Sequence, residues 1–325
     1  MTITHSKPNK EAMERFIGRN IMDIQSLSKD DIELIMQLSA YYDQKLAAGD
    51  RITDMEGKIM ASLFFEASTR TRLSFESAMA RLGGKTITVS ETAVLQTSST
   101  AKGETLYDSI RVTNYYCDVI VCRSTIAGMR HEIASAATVP YINGGDGSGE
   151  HPTQALLDLY TIYKEKGSLD GLTYAVCGDL KYGRAPHSLM QALGIFDIKK
   201  IILAAPKGLP MPEEYLTTAR ANNIEIEECD SLDYAAKQAD VIYMTRIQQE
   251  RFADEEEYKR AVNFIMTKRH LEIFRPGTIV MHPLPRIGEI DTCIDDYEGA
   301  AYFRQSGNGV PVRMALLALV TGSVS

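Results

Sequence analysis

No apolar run in this 325-residue chain approaches the roughly 20 residues that a membrane-spanning helix requires; Met314 to Val320 is among the longest. The opening Met-Thr-Ile-Thr-His-Ser-Lys-Pro-Asn-Lys lacks the apolar stretch of a signal peptide. Cysteine is scarce and scattered, at Cys117, Cys122, Cys177, Cys229 and Cys293. The number is odd and no Cys-x-x-Cys occurs, which argues against a disulfide framework or a zinc knuckle and for reduced, cytoplasmic thiols. Cys117 and Cys122 flank a strand-like Asp-Val-Ile-Val, so their separation points them to opposite faces and away from a shared metal. Basic residues are not in excess: 35 Lys and Arg against 43 Asp and Glu give a net charge of −8. That disfavours nonspecific binding to nucleic acid or to an anionic membrane. Any anion site must then be a local cluster of arginines. Fixed-period repeats and low-complexity tracts are also missing.

What is present is an ordinary globular composition, 44% hydrophobic and 24% charged. The length suits two domains with sizeable cores. Short β-rich runs (58–63, 86–89, 118–122, 139–142, 173–177, 200–204, 224–226, 240–244 and 278–282) alternate with helical patterns. The helical patterns lie near 30–47, 70–82, 105–116, 128–137, 152–166, 186–194, 212–222, 231–238, 255–264 and 309–321. Such alternation predicts an α/β protein of two domains, each a mainly parallel sheet flanked by helices. The stretch 165–171 ends one long helix before a fresh strand. It therefore divides a first domain, 1–167, from a second, 168–302, with a C-terminal helix in 303–325 packing back onto the first.

The most informative segment is Phe64-Phe65-Glu66-Ala67-Ser68-Thr69-Arg70-Thr71-Arg72. It follows an apolar strand and precedes a helical stripe of Phe75, Ala78, Met79 and Leu82. Ser68 thus falls at the N-cap. The N–H groups of Thr69, Arg70 and Thr71 have no intrahelical partners there. Together with the positive helix end, the hydroxyls and a guanidinium, they make a phosphate site. His151-Pro152-Thr153-Gln154 opens a second helix, with proline at its first position. His151 and Gln154 then project beside free N–H groups. Met281-His282-Pro283-Leu284-Pro285-Arg286 ends a strand. Its prolines stiffen the loop, leave carbonyl oxygens pointing outward, and offer a candidate cis bond. Gly178-Asp179-Leu180-Lys181-Tyr182-Gly183-Arg184 follows a strand but fits neither common nucleotide loop. Arg184 is read instead as a carboxylate clamp. Arg246 and Gln248 stand at another strand terminus, and Arg123 at a third. Ser98 and Lys102 lie in a polar stretch without regular pattern.

Taken in order, Ser-Thr-Arg-Thr-Arg, His-Pro-Thr-Gln, Leu-Lys-Tyr-Gly-Arg, Thr-Arg-x-Gln and His-Pro-Leu-Pro-Arg resemble the catalytic chains of the aspartate carbamoyltransferase family. The resemblance spans nearly the whole chain except about the first fifteen residues. It implies the carbamoyltransferase fold and transfer of the carbamoyl group of carbamoyl phosphate to L-aspartate, an early step of pyrimidine synthesis. By motif, Ser68, Thr69, Arg70 and Thr71 would hold the phosphate. Thr71, Arg123, His151 and Gln154 would address the carbamoyl end. Arg184, Arg246 and Gln248 would grip the aspartate carboxylates, and the Leu284 and Pro285 carbonyls would accept from amine and amide. Ser98 and Lys102 would reach into a neighbouring subunit's site, which implies a homotrimer. The chemistry agrees: both substrates are anions, and Arg70, Lys102, Arg123, Arg184 and Arg246 supply countercharge in forms suited to phosphate and carboxylate. The expected cofactor is none, and no metal or covalent nucleophile is required.

Two alternatives follow from the same resemblance. Ornithine carbamoyltransferases share the phosphate and His-Pro-x-Gln motifs, but typically carry His-Cys-Leu-Pro and an Asp-x-x-x-Ser-Met-Gly segment. The corresponding stretches here hold His282-Pro283-Leu284-Pro285 and Arg246, which suit a dicarboxylate. An inactive scaffold subunit would have lost phosphate or oxyanion residues, and none is lost. Separate regulatory chains remain a possible partner class. The chain itself has no cysteine cluster and no appended effector domain.

Overall fold

A computed structural model describes residues 3, 6–90, 103–147, 149–247 and 264–324. The chain divides into two compact units, Met1–Leu156 with Asn308–Ser325, and Leu157–Gly307. The boundary expected after residue 167 follows a helix end. The division by packing falls inside two helices, Pro152–Lys166 and Tyr302–Val320.

The first unit is built on β1 (Ile59–Phe64), β2 (Lys85–Ser90), β3 (Val119–Ser124) and β4 (Tyr141–Asp146), all parallel in the order β2-β1-β3-β4. Its helices are α1 (Lys10–Glu14), α2 (Lys29–Ala48), α3 (Thr69–Arg81), α4 (Leu106–Thr113) and α5 (Met129–Ala136), with the start of α6 (Pro152–Lys166). Strand β3 is buried along its whole length, as expected of a central parallel strand covered on both faces. Edge strand β2 has only exposed and half-buried residues. Helix α2 has a full capping box, with Ser28 and Asp31 each satisfying the other's N–H, and ends on left-handed Gly49.

The second unit has β5 (Thr173–Cys177), β6 (Lys200–Ala204), β7 (Glu225–Cys229), β8 (Val241–Met244) and β9 (Ile279–Met281), parallel in the order β7-β6-β5-β8-β9. Around it lie α7 (Arg184–Leu193), α8 (Thr217–Ala221), α9 (Leu232–Gln238), α10 (Lys268–Leu271) and the start of α11 (Tyr302–Val320). Ala175, Ile202, Ile242 and Val280 from four neighbouring strands meet Leu232, Ala235 and Ala236 of α9 in one buried cluster.

All nine expected strands are present, most within two residues of their expected ends. Two helical expectations change. The pattern at 212–222 is a short 3-10 turn, Glu213–Tyr215, followed by α8. Helix α11 begins at Tyr302 rather than 309, running through Gly307, Gly309 and Pro311. The pattern at 255–264 lies almost wholly outside the described residues. Among those residues, no helix is long and apolar enough to cross a membrane. The five cysteines are free thiols.

Candidate active site

In a parallel sheet every strand delivers its carboxyl end to the same edge, and ligands bind beyond that edge. In the first unit that edge gathers the three expected segments. Strand β1 leads into Ser68, which has extended backbone angles and caps α3 by position only, since its side chain makes no capping hydrogen bond. The hydroxyl and the first-turn N–H groups therefore do not satisfy each other, and a helix start of this kind suits an anion. Thr69 and Arg70 are exposed and Thr71 is buried.

Arg123, near the end of β3, is 6% exposed. Burying a guanidinium demands partners. Its Nη1 donates to the Gly144 carbonyl at 3.2 Å and lies 3.5 Å from His151 Nε2. Its Nη2 lies 3.1 Å from Glu66 Oε1. Gly145 makes room for this side chain: its φ is +120°, and a Cβ there would sit 3.1 Å from Arg123 Nη1.

His151 is buried and placed by the loop before it. Asp146, 1% exposed, ends β4. One of its oxygens accepts from the Glu150 N–H at 2.6 Å; the other accepts from the Gly128 N–H at 3.0 Å and from Arg130 at 2.7 Å. Pro152 then starts α6, and the Gln154 N–H donates to the His151 carbonyl at 3.0 Å. Ser68–Thr71, Arg123 and His151 with Gln154 thus share one edge of one sheet. Ser98 and Lys102 lie outside the described residues.

In the second unit the relevant strands are the three neighbours β5, β8 and β9. Gly178 follows β5 at φ +112°, where a Cβ would come within 2.4 Å of the Thr245 carbonyl oxygen. Only glycine lets the two strand ends approach so closely. The Thr245 hydroxyl donates to the Cys177 carbonyl at 3.1 Å. Asp179 is fully buried and accepts the Tyr182 N–H at 3.0 Å. His187 bonds the Leu180 carbonyl at 2.8 Å and stacks on Tyr215 at 3.9 Å. These contacts close the 178–184 loop and set Arg184, the first residue of α7, half-buried at the rim. Arg246 is also half-buried, two residues beyond β8. Gln248 lies outside the described residues.

Beyond β9 the loop turns at Leu284, with φ +56° and a cis Leu284–Pro285 bond. Arg286 of the same motif is engaged within the chain. It is paired with Asp295, 2.6 Å away by its Nη2, and lies 5.2 Å from the Tyr302 ring centre.

Glu289 is 7% exposed and accepts from His282 Nε2 at 2.6 Å and from the Ile287 N–H at 3.0 Å. Burial works to raise its pKa; the His282 contact and the backbone donors outweigh it and hold the carboxyl at about 2.

Several residues that support the site are missing from the sequence reading. They are Asp146, Asp158, Tyr243, Glu289 and Gln305. One signal was available: Asp158 interrupts the apolar stripe Leu156, Leu159, Tyr160, Tyr163, and an acid on a buried face needs a partner.

Residues 19–164 match the family model described as aspartate/ornithine carbamoyltransferase, carbamoyl-P binding domain, and residues 170–320 match the Asp/Orn binding domain of the same family. The aspartate carbamoyltransferase catalytic subunit of Thermococcus gammatolerans is 47% identical over 310 residues, covering 94% of this chain and 98% of that protein. The aspartate transcarbamoylase of Trypanosoma cruzi in complex with carbamoyl aspartate and phosphate has a TM-score of 0.89 at 39% identity, covering 94% of this chain and 97% of that one. Its complex with N-(phosphonacetyl)-L-aspartic acid gives 0.89 at 40%, with the same shares.

Proposed function

We propose that this chain, which belongs to the aspartate/ornithine carbamoyltransferase family, transfers the carbamoyl group of carbamoyl phosphate to the α-amino group of L-aspartate. The products are N-carbamoyl-L-aspartate and phosphate, which places the reaction in pyrimidine synthesis. One observation carries the choice of amino acid. The segments that follow three neighbouring strands of the second unit carry Arg184, Arg246 and the Leu284–Pro285 turn. Two guanidinium groups match two carboxylates, and the carbonyls of the turn match an amine. Ornithine would bring a second cation to the same arginines.

In this reading Ser68, Thr69, Arg70 and Thr71 hold the phosphate, with Ser98 completing the grip. Thr71, Arg123 and His151 face the carbamoyl oxygen, where negative charge develops as the amine attacks. Each such donor is worth ~10²–10³ in rate. Gln154 and the Leu284 and Pro285 carbonyls orient the carbamoyl NH2 and the amine. The rest is alignment of two anions that would otherwise repel. The departing phosphate takes the amine proton. Residues 1–167 with 303–325 serve as the carbamoyl phosphate domain and 168–302 as the aspartate domain.

The working unit in this reading is a cytoplasmic homotrimer, because Ser98 and Lys102 complete a neighbour's site; Lys102 and Gln248 add to the aspartate grip. Phosphate release from carbamoyl phosphate, measured with L-aspartate and with L-ornithine, tests the reaction. No turnover at saturating L-aspartate, or a preference for ornithine, refutes it. Mixing inactive Lys102→Ala and Arg70→Ala chains tests the shared site. Hybrids should regain activity, and a fully active monomer would refute the trimer.

A further inference from the structure

A buried chain of hydrogen bonds runs from α6 to the Leu284–Pro285 turn. Asp158, in α6, is fully buried. Its Oδ2 accepts from the Tyr243 hydroxyl at 2.8 Å, and its Oδ1 accepts from Gln305 Nε2 at 2.6 Å. Gln305 Oε1 accepts the His282 backbone N–H at 2.8 Å. His282 Nδ1 accepts the Leu284 N–H at 2.8 Å, which leaves the ring proton on Nε2, facing Glu289 Oε1 at 2.6 Å. Tyr243, Gln305 and His282 are each no more than 2% exposed.

The chain has one direction. A backbone N–H only donates, so the Gln305 oxygen must face His282 and its amino group must face Asp158. Asp158 then accepts on both oxygens, as an ionised carboxylate does. Removing a carboxylate from water is costly, so a residue whose only task was to fill space here would be apolar. What the carboxylate joins is specific. Tyr243 lies in β8, three residues before Arg246, and Gln305 grips the end of β9, two residues before Leu284. Leu284 itself occupies the left-handed region at φ +56°. That region is uncommon for a residue with a side chain, and such conformations persist only where the surroundings over-determine them.

We propose that Gln305 and Asp158 are positioning residues that aim the Leu284 and Pro285 carbonyls at the aspartate amine, in register with the Arg246 strand. This rests on the carbamoyl-transfer reading. Gln305→Leu cuts the chain at its centre, and kcat should fall by ~10–100-fold, the usual cost of a small misplacement of reacting groups. Its affinity for inorganic phosphate should stay within about twofold, because residues 68–71 are untouched. Asp158→Asn keeps the connectivity, since the Tyr243 hydroxyl can turn to accept from the new amide, and should stay within about threefold of wild-type kcat.

Gln305→Glu supplies the sharper readout. It sets a second carboxylate against Asp158, and for two carboxylates this close the second ionisation is pushed to high pH. The titratable groups on this chain are Asp158 from α6, Tyr243 from β8, and His282 with Glu289 beyond β9. When the pair takes up one proton the chain is restored. The kcat of Gln305→Glu relative to wild type should therefore climb at least about fivefold between pH 8.5 and pH 6.

An unchanged kcat in Gln305→Leu, or a Gln305→Glu profile superimposable on wild type, would overturn the proposal. If Gln305→Leu does not fold, the Gln305→Glu profile decides alone. Wild-type protein that releases no phosphate with L-aspartate would overturn the reaction itself. An active wild type with indifferent variants overturns only the positioning role.

Discussion

Changing Glu289 to glutamine should loosen the second unit by an amount that depends on pH. A carboxyl held at about 2 instead of its ordinary 4.5 favours the folded state by ~3 kcal/mol wherever it is ionised in both states. Its 7% exposure leaves little solvent to screen that figure. The sign follows from the depressed pKa. The contribution is complete above about pH 4.5 and fades as pH falls toward 2, so that only ~1 kcal/mol remains at pH 3. Glutamine keeps the shape but loses the charge. Its amide group must also turn a donor toward either His282 Nε2 or the Ile287 and Gly288 N–H groups, all of them donors.

The assay is guanidinium unfolding followed by circular dichroism at pH 7 and at pH 3, wild type against Glu289→Gln. The variant should be less stable by ~3 kcal/mol at pH 7, equivalent to a melting shift of about 6–12 °C for a unit of this size. The gap should narrow on acidification. Equal stabilities at pH 7, or a gap of constant size, would refute the assignment of the depressed pKa to the His282 and backbone donors.

Arg246→Ala should raise the L-aspartate KM by ~10²-fold, the scale of a lost charge-assisted carboxylate contact; phosphate affinity should not move, and steady-state kinetics at fixed carbamoyl phosphate checks both. Arg123→Lys removes a planar fork that spans Glu66, the Gly144 carbonyl and the His151 ring; kcat should fall by ~10²–10³, with the melting temperature little changed. Gly145→Ala puts a Cβ 3.1 Å from Arg123 Nη1 at φ +120°; it should cost ~1–3 kcal/mol in thermal stability and lower kcat together with it. A wild-type melting curve and kcat for that variant would show the glycine to be dispensable.

The strands were legible because buried parallel strands are written as short, dense apolar runs, as in Val119–Cys122 or Ile201–Leu203. The first turns of α3 and α6 were legible because a cap residue and a proline have local effects. Where the reading fell short, tertiary packing overrode local signals. Gly307, Gly309 and Pro311 each discourage a helix, yet α11 runs through all three, with Tyr302, Val312, Met314 and Leu316 fully buried. The supporting network was invisible for a different reason. Asp158 and Gln305 stand 147 residues apart, and no pattern of nearby residues announces a bond of that span. Arg123, Arg184 and Arg246 all lie at carboxyl edges of their sheets, as the order of strands and loops in the sequence implied.

Ser68 has a further consequence for the energetics of the first unit. Helices usually finish their own first turn with a side chain, a contribution of ~1 kcal/mol. Here the Ser68 side chain withholds that bond, so under the proposed function completion of α3 falls to the phosphate of the substrate. Occupancy and local folding become one equilibrium. Phosphate should slow amide exchange in the first turn of α3 as well as raise the melting point, so substrate binding can be followed from the backbone of a helix without observing the reaction at all.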